Sequence, residues 1–294
     1  MANQFINDGA IMKSPYRRFF HHSSVLFVAM AMTGAWGGSH SFAAPSSLTG
    51  KLYVSDLKGS VDLHTSDSIT ALAKKMVFNA TSTTIFCAQD SNCSMVYSNG
   101  TAMYLDANSR LEIQKFTQEP FTFNRYDLET EPSVSQTLAH LSYGLVALCT
   151  SKLAAGSNMI YTTPHVMLNI RGKKIVIESN NYQTLVSVLE GDVTVRASDG
   201  GGGQVLRNGQ EAIVRYKTTN QTSSIVHVGR IPDDRKRLLD QLVDMAGIAQ
   251  RTVYFETVDH KDATGKTTQE IQASEVVPTN KPTDFTISPS QLPH

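Results

Sequence analysis

The sequence predicts a mainly β protein, a β-solenoid or β-roll of short strands turned at glycine corners, followed by one amphipathic helix and a flexible C-terminal tail. Three observations predict it. Apolar residues alternate with polar ones in short runs between about residues 48 and 228, and that period of two places every second side chain on one face of a pleated strand. Gly100, Gly172, Gly191 and Gly209 stand between such runs, where glycine can turn a corner. Only one stretch, Pro232 to Arg251, shows convincing three-and-four spacing. A β-sandwich shares these cues and is the alternative.

The first segment reads as an export signal. Lys13, Arg17 and Arg18 precede the apolar run "SSVLFVAMAMTGAWGG", and "SFA" at 41–43 supplies the small residues a signal peptidase reads. Cleavage is expected between Ala43 and Ala44, which makes 1–43 a signal peptide. The apolar run is shorter than the ~20 residues of a spanning helix, although an uncleaved anchor is the rival reading. No membrane span is expected after signal removal, and the product is expected in the periplasm or outside the cell.

Residues 44–228 form the expected β domain. "GKLYVSDLKGSVDLHT" opens it, and "SMVYSNGTAMYLDANSRLEIQKF" (Ser94 to Phe116) follows. Asn99-Gly100 there supplies the positive backbone angles of a tight hairpin. "EPFTFNRYDLETEPS" reads as a loop bounded by Pro120 and Pro132, and "LAHLSYGLVALC" as a strand around a glycine. "NMIYTTPHVMLNIRGKKIVIES" gives two strands joined through Gly172, "YQTLVSVLEGDVTVRAS" a pair bent at Gly191, and "GQVLRNGQEAIVRY" a pair bent at Asn208-Gly209. The glycine run "DGGGGQ" at 199–204 is not a phosphate loop, because a second strand signal follows it where a helix start would be needed.

Residues 229–259 read as a helix and a strand packing on the β domain. Asp233 and Asp234 suit the positive end of a helix dipole, Pro232 suits a first helical position, and Leu238, Leu239, Leu242, Val243, Ala246 and Ala249 form the docking stripe. Residues 260–294, rich in Thr, Pro, Lys and Gln, read as a flexible tail.

Chemistry is sparse. Twenty-six basic residues balance twenty-six acidic ones, which argues against nucleic acid as a partner. No cofactor or metal motif and no catalytic constellation is found, so no enzymatic activity is expected. The Ser-x-x-Lys run at Ser55 lacks the companion motifs of penicillin-recognising enzymes. His165, after a Thr-Pro corner, reads as a surface histidine. Cys87 and Cys93 bracket "AQDSN" and are a possible disulfide in an exported chain, with Cys149 left as a buried thiol. Arg171 and Lys173, two apart on an expected strand, form a possible ligand face for an acidic glycan.

The runs "VYSNGTAMYLDANSRLEI", "YTTPHVMLNIRGKKIVI", "LVSVLEGDVTV" and "VLRNGQ" resemble successive signatures of the FecR domain family, over roughly Lys51 to Val214. The family's usual Arg-Gly-Thr is here Arg171-Gly172-Lys173. The resemblance implies an extracytoplasmic, non-catalytic binding module with an envelope protein or glycan as partner, possible as part of an envelope sensing or signalling assembly. Two alternatives come from other classes: a carbohydrate-active or polysaccharide-binding β-solenoid, and a structural envelope component.

Overall fold

The computed structural model describes residues 47–122, 129–200, 202–215, 224, 226–261 and 263–276. The expected cleavage site at Ala43 and Ala44 lies outside them, as do residues 277–294 of the expected tail. In chain order the strands are β1 (Leu48–Thr49), β2 (Lys51–Lys58), β3 (Val61–His64), β4 (Ile69–Ala71), β5 (Val77–Asn79), β6 (Thr83–Cys87), β7 (Asn92–Tyr97), β8 (Ala102–Leu105), β9 (Ser109–Gln118) and β10 (Ser135–Cys149). Then come β11 (Asn158–Thr162), β12 (Val166–Ile170), β13 (Lys174–Ser179), β14 (Gln183–Glu190), β15 (Val193–Ala197), β16 (Gly203–Leu206), β17 (Gln210–Arg215) and β18 (Val226–Arg230). Helix α1 (Asp233–Gln250) and strands β19 (Val253–Lys261) and β20 (Thr267–Glu275) complete the described chain. The described residues are mainly β with one helix.

Strands β19 and β20 pair as a separate two-stranded sheet, and β1 to β18 hydrogen-bond into two sheets. One runs β4-β3-β6-β9-β10-β11-β12-β15-β16, with β1 beside the end of β9. The other runs β5-β2-β7-β8-β10-β13-β14-β17-β18. Strand β10 belongs to both. Its first part, to Tyr143, pairs in the first sheet, and from Gly144 onward it pairs in the second. Gly144 makes that passage possible. Its φ is 100°, and a Cβ there would stand 2.4 Å from the Ser109 Cα.

Alternation sorts the side chains. Leu52, Val54, Ile85, Met95, Leu111, Leu141, Leu168, Ile177, Val186 and Val195 point between the sheets and are buried. Burial of each such side chain is worth ~1.5–3 kcal/mol. Tyr97 and Tyr161 are fully buried there, share a hydroxyl–hydroxyl hydrogen bond at 3.2 Å, and Phe116 meets the Tyr97 ring edge-on with centroids 4.8 Å apart. A second core lies on the outer face of the second sheet. Val96, Tyr104, Ala147 and Val176 pack there against Leu239, Val243, Ala246 and Ala249 of α1 and Phe255 and Ile271 of the β19-β20 hairpin.

Three features differ from the sequence reading. Pro232 is the residue before the helix, extended at ψ 143°, and not its first turn. Leu238 is 56% exposed, because neighbouring residues on a helix lie about 100° apart and Leu239 takes the sheet-facing position. Residues 267–275 are not tail but β20, paired with β19 from Val253↔Glu275 to Lys261↔Thr267. The strand is polar and Ile271 is its buried anchor, so its alternation is weak in the sequence. The pair bent at Asn208-Gly209 turns a corner between sheets, since β16 pairs with β15 in one and β17 with β14 and β18 in the other.

Candidate functional site

The corners build a ladder along one side of the stacked sheets. At Gly172 the chain passes from the first sheet to the second, at Gly191 it returns, and at Gly209 it crosses again. The corners touch. A Cβ on Gly191 would sit 2.3 Å from the Gly172 Cα, and the Gly191 N–H donates to Asn208 Oδ1 at 2.6 Å. The Lys173 N–H donates to the Glu190 carbonyl at 2.8 Å, and Gly209 to that of Val188 at 2.8 Å. Gly191 and Gly209 have positive φ, 96° and 76°, whereas Gly172 is demanded by the close approach alone. In the other direction the Thr150 N–H donates to the Lys173 carbonyl at 2.8 Å, and its hydroxyl donates to the Gly172 carbonyl.

The ladder ends at Asn99-Gly100, where a tight β7-β8 hairpin turns. Gly100 has φ 85°, and a Cβ there would press on Ser151 Oγ at 2.8 Å. Asn99 is fully buried and every group of its amide that the turn uses is engaged. Its Oδ1 accepts from the Thr101 N–H at 3.0 Å, and its Nδ2 donates to Glu131 Oε1 at 3.0 Å and Ser135 Oγ at 3.1 Å. Glu131, 4% exposed, also accepts from the Ser135 hydroxyl and, through Oε2, from the Ala154 N–H at 2.8 Å. Beside it the Ser98 hydroxyl donates to Gln118 Oε1 at 2.7 Å. Gln250, the last residue of α1, reaches over the turn: its Nε2 donates to the Gly100 carbonyl at 2.8 Å and to Ser151 Oγ at 3.2 Å. Its Oε1 accepts from Cys149 Sγ at 3.5 Å, and burial pushes that thiol above its ordinary value.

This network floors a cavity of about 210 Å³. Val96, Phe121, Val253 and Phe255 make its apolar wall, and Ser98, Thr122, Thr130 and Ser151 its polar one. Five pieces contribute: β7 with the turn after it, the connection between β9 and β10, Ser151 just past β10, the end of α1, and β19. The Phe121 N–H donates to Thr257 Oγ1 at 3.0 Å and its carbonyl accepts from the Thr257 N–H at 3.2 Å, which fixes that connection to β19. Among the described lining residues the one carboxylate, Glu131, is engaged by Asn99, Ser135 and the Ala154 N–H. Pockets for cofactors and drug-sized ligands run ~300–1,000 Å³. A smaller cavity with one apolar and one hydroxyl wall suits a single large side chain with its peptide group.

The residues singled out from sequence lie elsewhere. Arg171 and Lys173 are not on a strand: β12 ends at Ile170 and β13 begins at Lys174, so both sit on the Gly172 corner and strand alternation does not align them. Arg171 is exposed, the Lys173 ammonium lies 3.9 Å from Glu190, and Lys174 lies 3.8 Å from Asp244 of α1. His165 is 2% exposed rather than on the surface, with Nδ1 2.9 Å from Thr184 Oγ1, because the Thr163-Pro164 corner turns it inward. The Ser55 hydroxyl pairs with that of Thr252 at 2.9 Å. Cys87 and Cys93 are buried free thiols whose sulfurs stand 3.7 Å apart. Among the described residues no three His, Cys, Asp or Glu side chains cluster as metal ligands, and no helix is long and apolar enough to cross a membrane. Sequence reasoning missed Glu131, Gln250 and the buried role of Asn99. The available signal was the Asn-Gly pair, but the acceptors of its Nδ2 are 32 and 36 residues away.

The sequence description of one family, FecR protein, matches residues 83–194. That span starts at the first residue of β6 and ends inside β15, so it takes in strands of both sheets and the Gly100, Gly172 and Gly191 corners. Two crystal structures of a candidate anti-sigma factor from Parabacteroides distasonis ATCC 8503 are similar at 15% and 16% identity, each with a TM-score of 0.38. The similarity covers 53% of this chain and 62% of that one, less than two thirds of its length. No curated protein matches the chain.

Proposed function

We propose that this chain, which carries the FecR match over residues 83–194, is an exported, non-enzymatic binding module of an envelope sensing or signalling assembly. The stacked sheets with their corner ladder act as a solenoid-like scaffold, and the cavity beside Asn99-Gly100 is the place where a partner is anchored. The observation that carries this reading is the position of the cavity. It opens where the family-matched strands meet α1 and β19, and its walls come from both.

A partner would insert one apolar side chain between Val96, Phe121 and Phe255 while its backbone meets the hydroxyl wall. Full burial of such an anchor contributes ~1.5–3 kcal/mol, and rim contacts supply the rest, as in other interfaces with a few dominant residues. Because helix, hairpin and sheet each give a wall, an occupant also strengthens the docking of α1 and β19 on the second sheet. The partner is read as an envelope protein. A glycan is the second reading, supported by the exposed Arg171, which has no ion pair among the described residues.

The test is a photo-reactive residue placed at Thr122 or Thr130, at the cavity mouth, and at Asn180, on a distant turn, in cells that make the protein. A discrete adduct to one envelope protein from the first two positions alone is expected. Adducts from Asn180 as readily as from the mouth, or none from the mouth, would overturn the cavity as the anchor site.

A further inference from the structure

We infer that Cys87 and Cys93 are an oxidation site, a dithiol placed to close into a disulfide that staples one sheet to the other across the core. This rests on geometry and not on the functional reading above. Cys87 is the last residue of β6 in the first sheet, and Cys93 the second residue of β7 in the second. The short connection between them keeps the strands close as the chain crosses: the Ala88 N–H donates to the Ser60 carbonyl at 3.1 Å and the Ser91 N–H to that of Ala88 at 3.3 Å. Both side chains point into the same core, 5% and 0% exposed, and their sulfurs are 3.7 Å apart. Bonding requires the sulfurs to approach from 3.7 Å to ~2.05 Å, a shift that a change of χ1 at the two cysteines has to supply.

Position also fixes the pairing. Three cysteines allow three bridges. Cys149 lies on the other face of the second sheet, in the core under α1 with Gln250 as its partner, so the sheet itself separates it from the other two. The contact with the Cys87 thiol, and after it burial, hold the Cys93 thiol well above its ordinary value, and the thiolate is the species that attacks. The folded dithiol therefore reacts slowly, and the bridge forms fastest while the chain is still unfolded. The reaction is thiol–disulfide exchange with a small or protein disulfide. One thiolate attacks the donor disulfide and releases a thiol, then the second cysteine displaces the other half. Two protons and two electrons leave the pair and reduce the donor to two thiols.

The experiment refolds the full chain from denaturant in oxidised and reduced glutathione, then counts thiols after denaturation. One free thiol, a mass lower by two hydrogens and a peptide joining Cys87 to Cys93 are expected, with Cys149→Ser leaving none free. Closing this short loop is expected to favour the folded state about 50-fold over the reduced chain, read from denaturation of both wild-type forms. Adding the same redox mixture to folded, reduced protein is expected to oxidise it far more slowly than it does the refolding chain. Three free thiols after refolding, a bridge that includes Cys149, or an oxidised form less stable than the reduced one would overturn the inference. The wild-type thiol count decides it whether or not a cysteine variant folds.

Discussion

Single residues separate two roles that glycine plays in this fold. At Gly209 a Cβ would meet nothing within 4 Å, so Gly209→Ala carries only the penalty of a positive φ, about 1 kcal/mol. At Gly191 the same penalty is joined by collision with the Gly172 backbone, where neither chain can yield, and Gly191→Ala is expected to destabilise by about 3 kcal/mol or more. Denaturant melts of the two variants should therefore differ in midpoint, and equal midpoints would mean that the corners are not in contact. Two histidines set the pH response. Burial holds His140 and His165 below the ordinary imidazole value. The unfolded chain then binds protons that the fold does not, so stability is full above about pH 6.5 and falls as pH drops below it. Asp56, Glu270 and Glu275 are held below the carboxylate range, chiefly by hydrogen bonds from Lys74, Lys51 and Lys75, so their contribution is lost only in more acidic solution. A urea midpoint lower at pH 5.5 than at pH 7.5 is expected. The difference should shrink in a His140→Gln, His165→Gln double variant.

Among the elements, α1 shows how little of its docking is polar and how much rests on one arginine. Arg235 donates to Glu178 on β13 at 2.5 Å and to Glu211 on β17 at 3.1 Å, joining the first turn of the helix to two strands. Burial raises the Glu178 carboxyl above its ordinary value despite the guanidinium beside it. Arg235→Ala strands two poorly hydrated carboxylates and is expected to destabilise by about 2 kcal/mol. Glu178→Gln in that background should recover part of the loss, as measured by thermal denaturation. The helix was legible in the sequence because its apolar residues repeat at three and four, yet Leu238 and Leu239 look equivalent there and only one can face the sheet. The β19-β20 hairpin was half legible: "TVYFETVD" alternates, while the partner strand hides behind polar residues and depends on Ile271 and on register with β19.

At the scale of the whole molecule, alternation and glycine spacing revealed a β-rich chain but not which strands share a sheet. A hairpin such as that at Asn99-Gly100 and a crossing such as that at Asn208-Gly209 carry the same dipeptide, and only long-range pairing distinguishes them. The same limit explains the site. Arg171 and Lys173 drew attention because charge is visible in sequence, whereas the cavity is assembled from residues between 96 and 255, with its carboxylate buried and satisfied. Its role as an anchor is tested most directly by calorimetric titration of the cross-linked partner against three forms of the protein. Thr122→Trp, which fills the cavity mouth from an exposed position, is expected to weaken binding at least tenfold with an unchanged melting temperature, while Arg171→Ala binds as wild type. Undiminished affinity in Thr122→Trp, or loss of binding in Arg171→Ala alone, would contradict it.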